Sequence, residues 1–256
     1  MDQAIQSYRN RLLQLLPPLD FDELKAHLEA VPLAHRQPLY EANRPLRSIY
    51  FPVTGVVSLV CAMEDGEAAE VGTIGNEGIV GLPVILGDEL SPTLAYVQVP
   101  GKGLRLRAEI LRSALQRSAA MRAVMLHYAH AFFNQVAQSA ACNHFHTVDQ
   151  RCCRWLLMTH DRVQSDNFLL TQDFLGMMLG VQRSSVNLAA SKLKRDGLIE
   201  YRRGHVTILN RQQLEQRSCE CYAVSKREFD RLLGAPTGSH ARMTATYPFP
   251  RTDIVG

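Results

Sequence analysis

The spacing of apolar residues changes character along the chain, and each change marks an element. Ile5, Tyr8, Leu12, Leu15 and Leu16 recur at intervals of three and four, a helical pattern that Pro17-Pro18 stops. A second short helix can open on Asp20 or Asp22 and use Leu24 and Leu28. From Leu33 the period shortens. Leu39-Tyr40, Ser48 to Phe51, Val56 to Ala62, Ala69 to Ile74 and Leu94 to Val99 are strand-like runs. They are separated by the turn signals Thr54-Gly55, Glu64-Asp65-Gly66, Gly75 to Gly78, Gly87-Asp88 and Pro100 to Gly103. This spacing predicts an antiparallel roll or barrel of about eight strands. Helical spacing returns near Ala108 and runs to about Ala141, with Met121, Val124, Tyr128, Ala131, Gln135 and Gln138 on one side and Met125 and Phe132 broadening it. Asn143 to His146 reads as a hinge, and Val148 to Val163 as a further amphipathic helix carrying Trp155, Leu156 and Leu157.

Leu170 to Ile208 is the most informative stretch. Phe174, Leu175, Met178 and Leu179 form one short apolar stripe, Gly180 interrupts it, and Val186, Ala189, Ala190 and Leu193 form a second. Thr171 suits an N-cap, because its hydroxyl can accept from backbone N–H groups that the first turn leaves unpaired. Gly180 sits where the first helix must stop, and glycine takes a left-handed backbone there without steric cost. Gln182, Arg183, Ser184 and Ser185 place four polar side chains at the start of the second helix, which a core-facing helix would not tolerate. Gly197 ends that helix, Leu198 to Tyr201 alternates as a strand, Arg202 to His205 is a basic turn, and Val206 to Leu209 returns as the partner strand. Helix, turn, helix and hairpin in this order make a winged helix-turn-helix.

The length of 256 residues accommodates two domains, and 46% hydrophobic content can fill a core in each. The apolar runs are too short to span a bilayer and the start lacks a basic and apolar leader, so a cytoplasmic protein without membrane contact is expected. Six cysteines at this length, with no secretory signal, read as reduced thiols. The net charge of +3 conceals an asymmetry: residues 1 to 100 hold 13 Asp and Glu against 6 Lys and Arg, and the remainder holds 12 against 22. The positive charge thus lies in the part that carries the helix-turn-helix, as phosphate binding requires.

In this order of parts, and most specifically in QRCCRWLLMTHDRV (Gln150 to Val163) and LTQDFLGMMLGVQRSSVNLAASKLKRDGLI (Leu170 to Ile199), the chain resembles the Crp/Fnr superfamily of bacterial transcription regulators. The matching features are the capping Thr171, the turn Gly180, the early Arg183, and the exit formed by Leu193 and Gly197-Leu198-Ile199. The resemblance covers about residues 20 to 232. It implies an α+β protein: a cyclic-nucleotide-binding-like β-roll (double-stranded β-helix) with N-terminal helices over 1–107, a dimerisation helix over 108–142, and a winged helix-turn-helix over 147–233. Residues 234–256, with Pro and Gly and no apolar period, read as a disordered tail.

The resemblance also implies roles. The second helix would enter the major groove of double-stranded DNA, with Arg183 bidentate to guanine and Gln182, Ser184 and Asn187 beside it. Leu188 stands where some members carry a second arginine, so their half-site does not transfer. Thr171, Gln172, Ser185, Lys192, Arg203 and His205 are expected on phosphates. Met121, Val124, Met125, Tyr128, Phe132 and Gln135 are assigned to self-association as a homodimer. RNA polymerase is the implied protein partner, and no enzymatic activity is expected.

The effector is unknown. The family's pocket position is Gly75 to Val99, where members that bind cyclic nucleotide carry a Gly-Glu pair and an Arg-Ser pair. Here Leu82 follows Gly81, Thr93 and Leu94 replace the second pair, and no arginine occurs between Arg47 and Arg105. A phosphate buried without a cation is costly, so cyclic AMP is disfavoured, while a cyclic dinucleotide remains open.

No cofactor is expected. An iron–sulfur sensor needs N-terminal cysteines, and the first here is Cys61 in the roll. His127 or His130 would be the axial ligand of a haem sensor. Cys142, His144 and His146 would share one side of an extended segment at metal-ligand reach, joined by Cys152 and Cys153, but the spacing matches no strong zinc motif. Cys219-Glu220-Cys221 is a similar candidate for metal binding or thiol sensing, with an exposed pair of thiols as the alternative. The rival functions are a cupin-like enzyme, for which the roll offers only His27 and His35, and an effector-, metal- or thiol-sensing roll acting through protein partners rather than DNA.

Overall fold

The computed structural model describes residues 9–163 and 165–234. Ile5 and Tyr8 of the first expected helix, and the expected tail beyond Gly234, lie outside the described residues. Two short helices come first, α1 (Arg11–Gln14) and α2 (Pro18–Lys25). Pro18 opens α2 rather than merely ending α1, because the missing N–H is one that the first turn leaves unpaired anyway. Asp20 therefore falls inside the first turn of α2 instead of starting it.

The roll is an antiparallel sheet of β1 (Glu29–Leu33), β2 (Pro38–Tyr40), β3 (Ser48–Ala62), β4 (Ala68–Ile74) and β5 (Leu94–Arg107), with the one-turn α3 (Leu82–Leu86) between the last two. The strand order is β1-β5-β3-β4, and β2 also pairs with β5. Thr54-Gly55 and Pro100 to Gly103 are not chain reversals. They are bends inside β3 and β5, where the pairing register slips. A Cβ on Gly101 would lie 2.2 Å from the Thr54 carbonyl oxygen, so the two bends nest only because glycine stands there. Two long bent strands each take the place of two short ones, which is why the roll has five strands among the described residues where about eight were expected.

The helix expected from Ala108 divides into α4 (Ala108–Arg117) and α5 (Ala119–Phe145). Ser118 makes the break: its hydroxyl accepts from the Met121 N–H at 3.0 Å and donates to Asp20 at 2.7 Å. At its other end α5 runs on through Phe145, so Asn143 to Phe145 is helix rather than hinge, and the chain turns at His146-Thr147 before α6 (Val148–Val163). The remaining elements are β6 (Asn167–Leu169), α7 (Gln172–Leu179), α8 (Arg183–Arg195), β7 (Ile199–Arg202), β8 (His205–Ile208), α9 (Arg211–Arg217) and α10 (Cys221–Leu233). The strand β8 lies between β6 and β7, which adds a third strand to the expected wing.

Two apolar cores result. One fills the roll with Leu33, Ile49, Phe51, Val57, Val97 and Leu106 and extends to α5 and α10; the other joins Trp155 and Leu156 to Phe174, Leu179, Val186 and Leu193. Between them, Phe174 of α7 lies under the Arg36 guanidinium (5.3 Å) and against the rings of His35 (5.4 Å) and Tyr96 (5.6 Å). The helix-turn-helix is thus docked on the roll through its first helix.

Five of the six positions assigned to self-association are covered by the chain's own fold. Met121, Met125, Tyr128, Phe132 and Gln135 are buried within the chain, and Val124 is half-buried. Tyr128 donates to the Ile79 carbonyl at 3.2 Å and Gln135 to that of Thr73 at 3.1 Å. The Tyr128 ring closes so tightly on Gly78 that a Cβ there would come within 2.3 Å of it. Helical period reports which side of a helix is covered but not by what, and here the cover is the roll and α10.

Candidate functional site

Thr171 caps α7, its Oγ1 accepting from the Phe174 N–H at 3.3 Å, and Gly180 ends that helix at φ 57°. Gln182 is the N-cap of α8 rather than its first residue, and no side-chain hydrogen bond caps the helix. Val186, Ala189, Ala190 and Leu193 turn inward, which leaves Gln182, Arg183, Ser184, Asn187 and Leu188 exposed and Ser185 half-buried. Arg183 reaches back across the turn, with Nε 3.4 Å from Gln172 Oε1 and a terminal nitrogen 3.3 Å from Asp173 Oδ1.

The wing tip is adjacent. Arg203 and Gly204 both have positive φ, the combination that two-residue hairpin turns require. The Leu170 N–H donates to the Gly204 carbonyl at 2.7 Å, and the Tyr201 hydroxyl to that of Leu170 at 2.9 Å. These bonds bring Arg203 and His205, both exposed, beside Thr171 and Gln172. The start of α7, the start of α8 and the wing tip form one polar surface. Lys192 stands apart at the far end of α8, with Nζ 2.8 Å from Asp149 Oδ2 on α6.

In the segment from Gly75 to Val99, Leu82 opens α3, and Thr93 Oγ1 is engaged by Ser91 (2.8 Å) and Tyr40 (3.4 Å). Glu77 forms a buried ion pair with Arg162 at 2.8 Å. Arg162 also donates to Gln135 Oε1 and to the Met158 carbonyl. Nearby, Glu70 accepts from Ser58 (2.6 Å) and from the Trp155 ring N–H (3.2 Å), and burial pushes its carboxyl up to about 7 against these bonds and the charges of Arg162 and Arg154. Sequence reasoning missed both carboxylates, because no local pattern connects them to a helix so far along the chain.

The expectation of no cofactor is overturned by a cluster at the end of α5. One ligand atom each from Cys142, His146, Cys219 and Cys221 lies within 4.8 Å of all the others, in an arrangement that could hold a metal ion. His144 is not part of it: it is exposed and meets the Phe145 ring edge-on. The segment is helical rather than extended, so positions four apart share a face and positions two apart do not. Cys219 and Cys221 are buried, which removes the reading as an exposed pair of thiols, and Cys152 and Cys153 pack separately in the second core.

Two family models match the chain, the cyclic nucleotide-binding domain over residues 30–118 and the Crp-like helix-turn-helix domain over residues 150–217. Among solved structures, FixK2 from Bradyrhizobium japonicum is similar with a TM-score of 0.65 at 16% identity, over 75% of this chain and 98% of that one. A putative transcriptional regulator of the Crp/Fnr family from Eubacterium rectale gives 0.62 at 15% identity, over 79% and 94%. The c-di-GMP-responsive global regulator CLP of Xanthomonas campestris gives 0.58 at 18%, over 75% and 99%. No curated protein matches the chain significantly.

Proposed function

The chain belongs to the Crp/Fnr superfamily of transcription regulators, and from that premise we propose that it acts as a homodimer on a pseudo-palindromic DNA operator. The observation that carries the reading is the continuous polar surface formed by the cap of α7, the first turn of α8 and the wing tip. Arg183 is the base-reading residue, with Gln182, Ser184 and Asn187 beside it. Its present partners, Gln172 and an exposed Asp173, can release it to a guanine edge. Thr171, Gln172, Ser185, Arg203 and His205 face the phosphates.

The dimer surface lies on the outer side of α5. Leu126, His130, Phe133, Ala137 and Ala140 are all exposed and alternate at intervals of four and three, the seam spacing of paired helices. A second copy supplies the matching stripe.

Gating by cyclic AMP in the family's usual manner is not part of the proposal. Leu82, Thr93 and Leu94 offer no carboxylate or guanidinium, and Tyr128 and Phe132 fill the space between roll and long helix. Bound at a promoter, the dimer would act on RNA polymerase. No helix among the described residues is long and apolar enough to cross a membrane, in keeping with action on cytoplasmic DNA.

Selection of bound sequences from genomic DNA, followed by mobility shifts, tests the reading. A two-fold symmetric site bound well above a scrambled duplex, with affinity falling steeply as salt rises, is the expected result. Equal binding to every duplex, unchanged in Arg183→Ala, would overturn it. Binding that ignores salt would favour a protein partner instead.

A further inference from the structure

Cys142 lies in the last turn of α5 and His146 caps that helix four residues later. Cys219 lies in the short connection between α9 and α10, and Cys221 opens α10. The two segments meet with Cys142 Sγ 3.5 Å from Cys219 Sγ and Cys221 Sγ 3.5 Å from His146 Nδ1. A tetrahedral Zn²⁺ with bonds of about 2.3 Å to sulfur and about 2.0 Å to nitrogen spaces its donor atoms roughly 3.5–3.8 Å apart. Two edges of such a tetrahedron are already at that spacing, and all four donor atoms lie within 4.8 Å of one another.

Three further observations point to a metal rather than to thiols used as small apolar residues. Cys142, Cys219 and Cys221 pack on one another and join neither apolar core. His146 turns Nδ1 to the cluster while Nε2 lies 3.2 Å from Glu220 Oε2, the carboxylate contact that fixes the ring and tautomer of a metal-bound histidine. Arg151 and Arg154 are buried; each donates one hydrogen bond to a neutral group, the Leu179 carbonyl and Ser139 Oγ, while the Nε of each lacks a partner and neither makes an ion pair among the described residues. Three thiolates, one neutral imidazole and one dication sum to a single negative charge, which these two guanidinium groups would offset.

We propose that Cys142, His146, Cys219 and Cys221 bind one Zn²⁺ as a closed structural centre. Binding forms three Zn–S bonds and one Zn–N bond, and the three thiol protons pass to solvent. The ion pins the end of α5 to the connection that leaves the winged helix-turn-helix, and so fixes the long helix relative to the DNA-binding part. All four coordination positions are filled by protein, which leaves no open site for a reaction.

The test uses the full chain, reduced and expressed with zinc supplied, then stripped by chelator and titrated with Zn²⁺ or Co²⁺. Elemental analysis should find about one Zn²⁺ per chain. Co²⁺ should give the visible absorption of a tetrahedral thiolate complex, Zn²⁺ should bleach it, and chelation should lower Tm. The double variant Cys219→Ser/Cys221→Ser should lose the absorption while keeping its circular dichroism, and His146→Cys should keep the absorption where His146→Ala weakens it. Absence of zinc from the folded protein together with no tetrahedral Co²⁺ spectrum would overturn the proposal. A spectrum unchanged in the double variant would do the same, as would a Cys142–Cys219 disulfide in protein kept under reducing conditions.

Discussion

The guanidinium of Arg162 lies 2.8 Å from the carboxylate of Glu77, and the two side chains expose only 8% and 12% of their surfaces. The pair joins the roll to α6, and the Arg162 stem crosses Gly75 so closely that a Cβ there would meet it at 2.5 Å. Replacing the carboxylate by an amide leaves a buried cation whose other acceptors among the described residues, Gln135 Oε1 and the Met158 carbonyl, are neutral. Glu77→Gln should lower the unfolding free energy by about 3 kcal/mol in urea denaturation, and Glu77→Gln/Arg162→Met should recover part of the loss.

Glu70 makes the stability depend on pH. Its carboxyl is raised from 4.5 to about 7 by burial, with Arg154, Arg162 and Tyr96 the charged and titratable groups acting on or coupled to it. A raised carboxyl favours the folded state while protonated, so its contribution is full below the unfolded value and is lost as pH rises toward about 7. At about 1.4 kcal/mol per pH unit the loss between 4.5 and about 7 is at most about 3.5 kcal/mol. Glu70→Gln should remove this slope and be the more stable form at mildly alkaline pH. Trp155, the only tryptophan in the chain, donates to Glu70, so its fluorescence should titrate near neutrality in the parent and not in the variant.

The DNA surface separates three kinds of contact. Arg183→Ala should cost about 1–3 kcal/mol on the selected operator and relax the base preference at one position of each half-site. Arg203→Ala should weaken all duplexes alike and reduce the salt slope by about one. Lys192→Ala should change binding less than Arg203→Ala, because Asp149 already holds that amine. Fluorescence anisotropy across a salt series distinguishes the three.

The two sides of α5 should respond differently to substitution. Phe133→Arg/Leu126→Glu, on the exposed side, should give a folded monomer by light scattering. Tyr128→Ala, on the buried side, should lower the unfolding free energy by about 3–5 kcal/mol through lost packing on the roll. A dimer that survives the first variant would move the interface elsewhere.

The winged helix-turn-helix was legible from residues 170 to 208 because its signals are local. A capping Thr171, a left-handed Gly180, the stripes of α7 and α8 and the Arg203-Gly204 turn each depend on neighbours a few positions away. The roll was legible in kind but not in count, since Gly55 and Gly101 look like reversals until the bent strands pair with each other.

The sequence by itself determined the order of roll, long helix and winged helix-turn-helix, the α+β class, the polar start of α8 and the lack of an arginine in the segment from Gly75 to Val99. Tertiary structure decided what each apolar face covers, and so turned Met121, Tyr128 and Gln135 inward and left Leu126 and Phe133 outside. It also decided which distant groups meet: Glu77 with Arg162, Glu70 with Trp155, and Cys142 and His146 with Cys219 and Cys221. The reason is physical. Period, caps and turns are set by steric and hydrogen-bonding limits within a few residues, whereas a buried ion pair or metal cluster needs side chains that only the closed fold brings within a few ångströms.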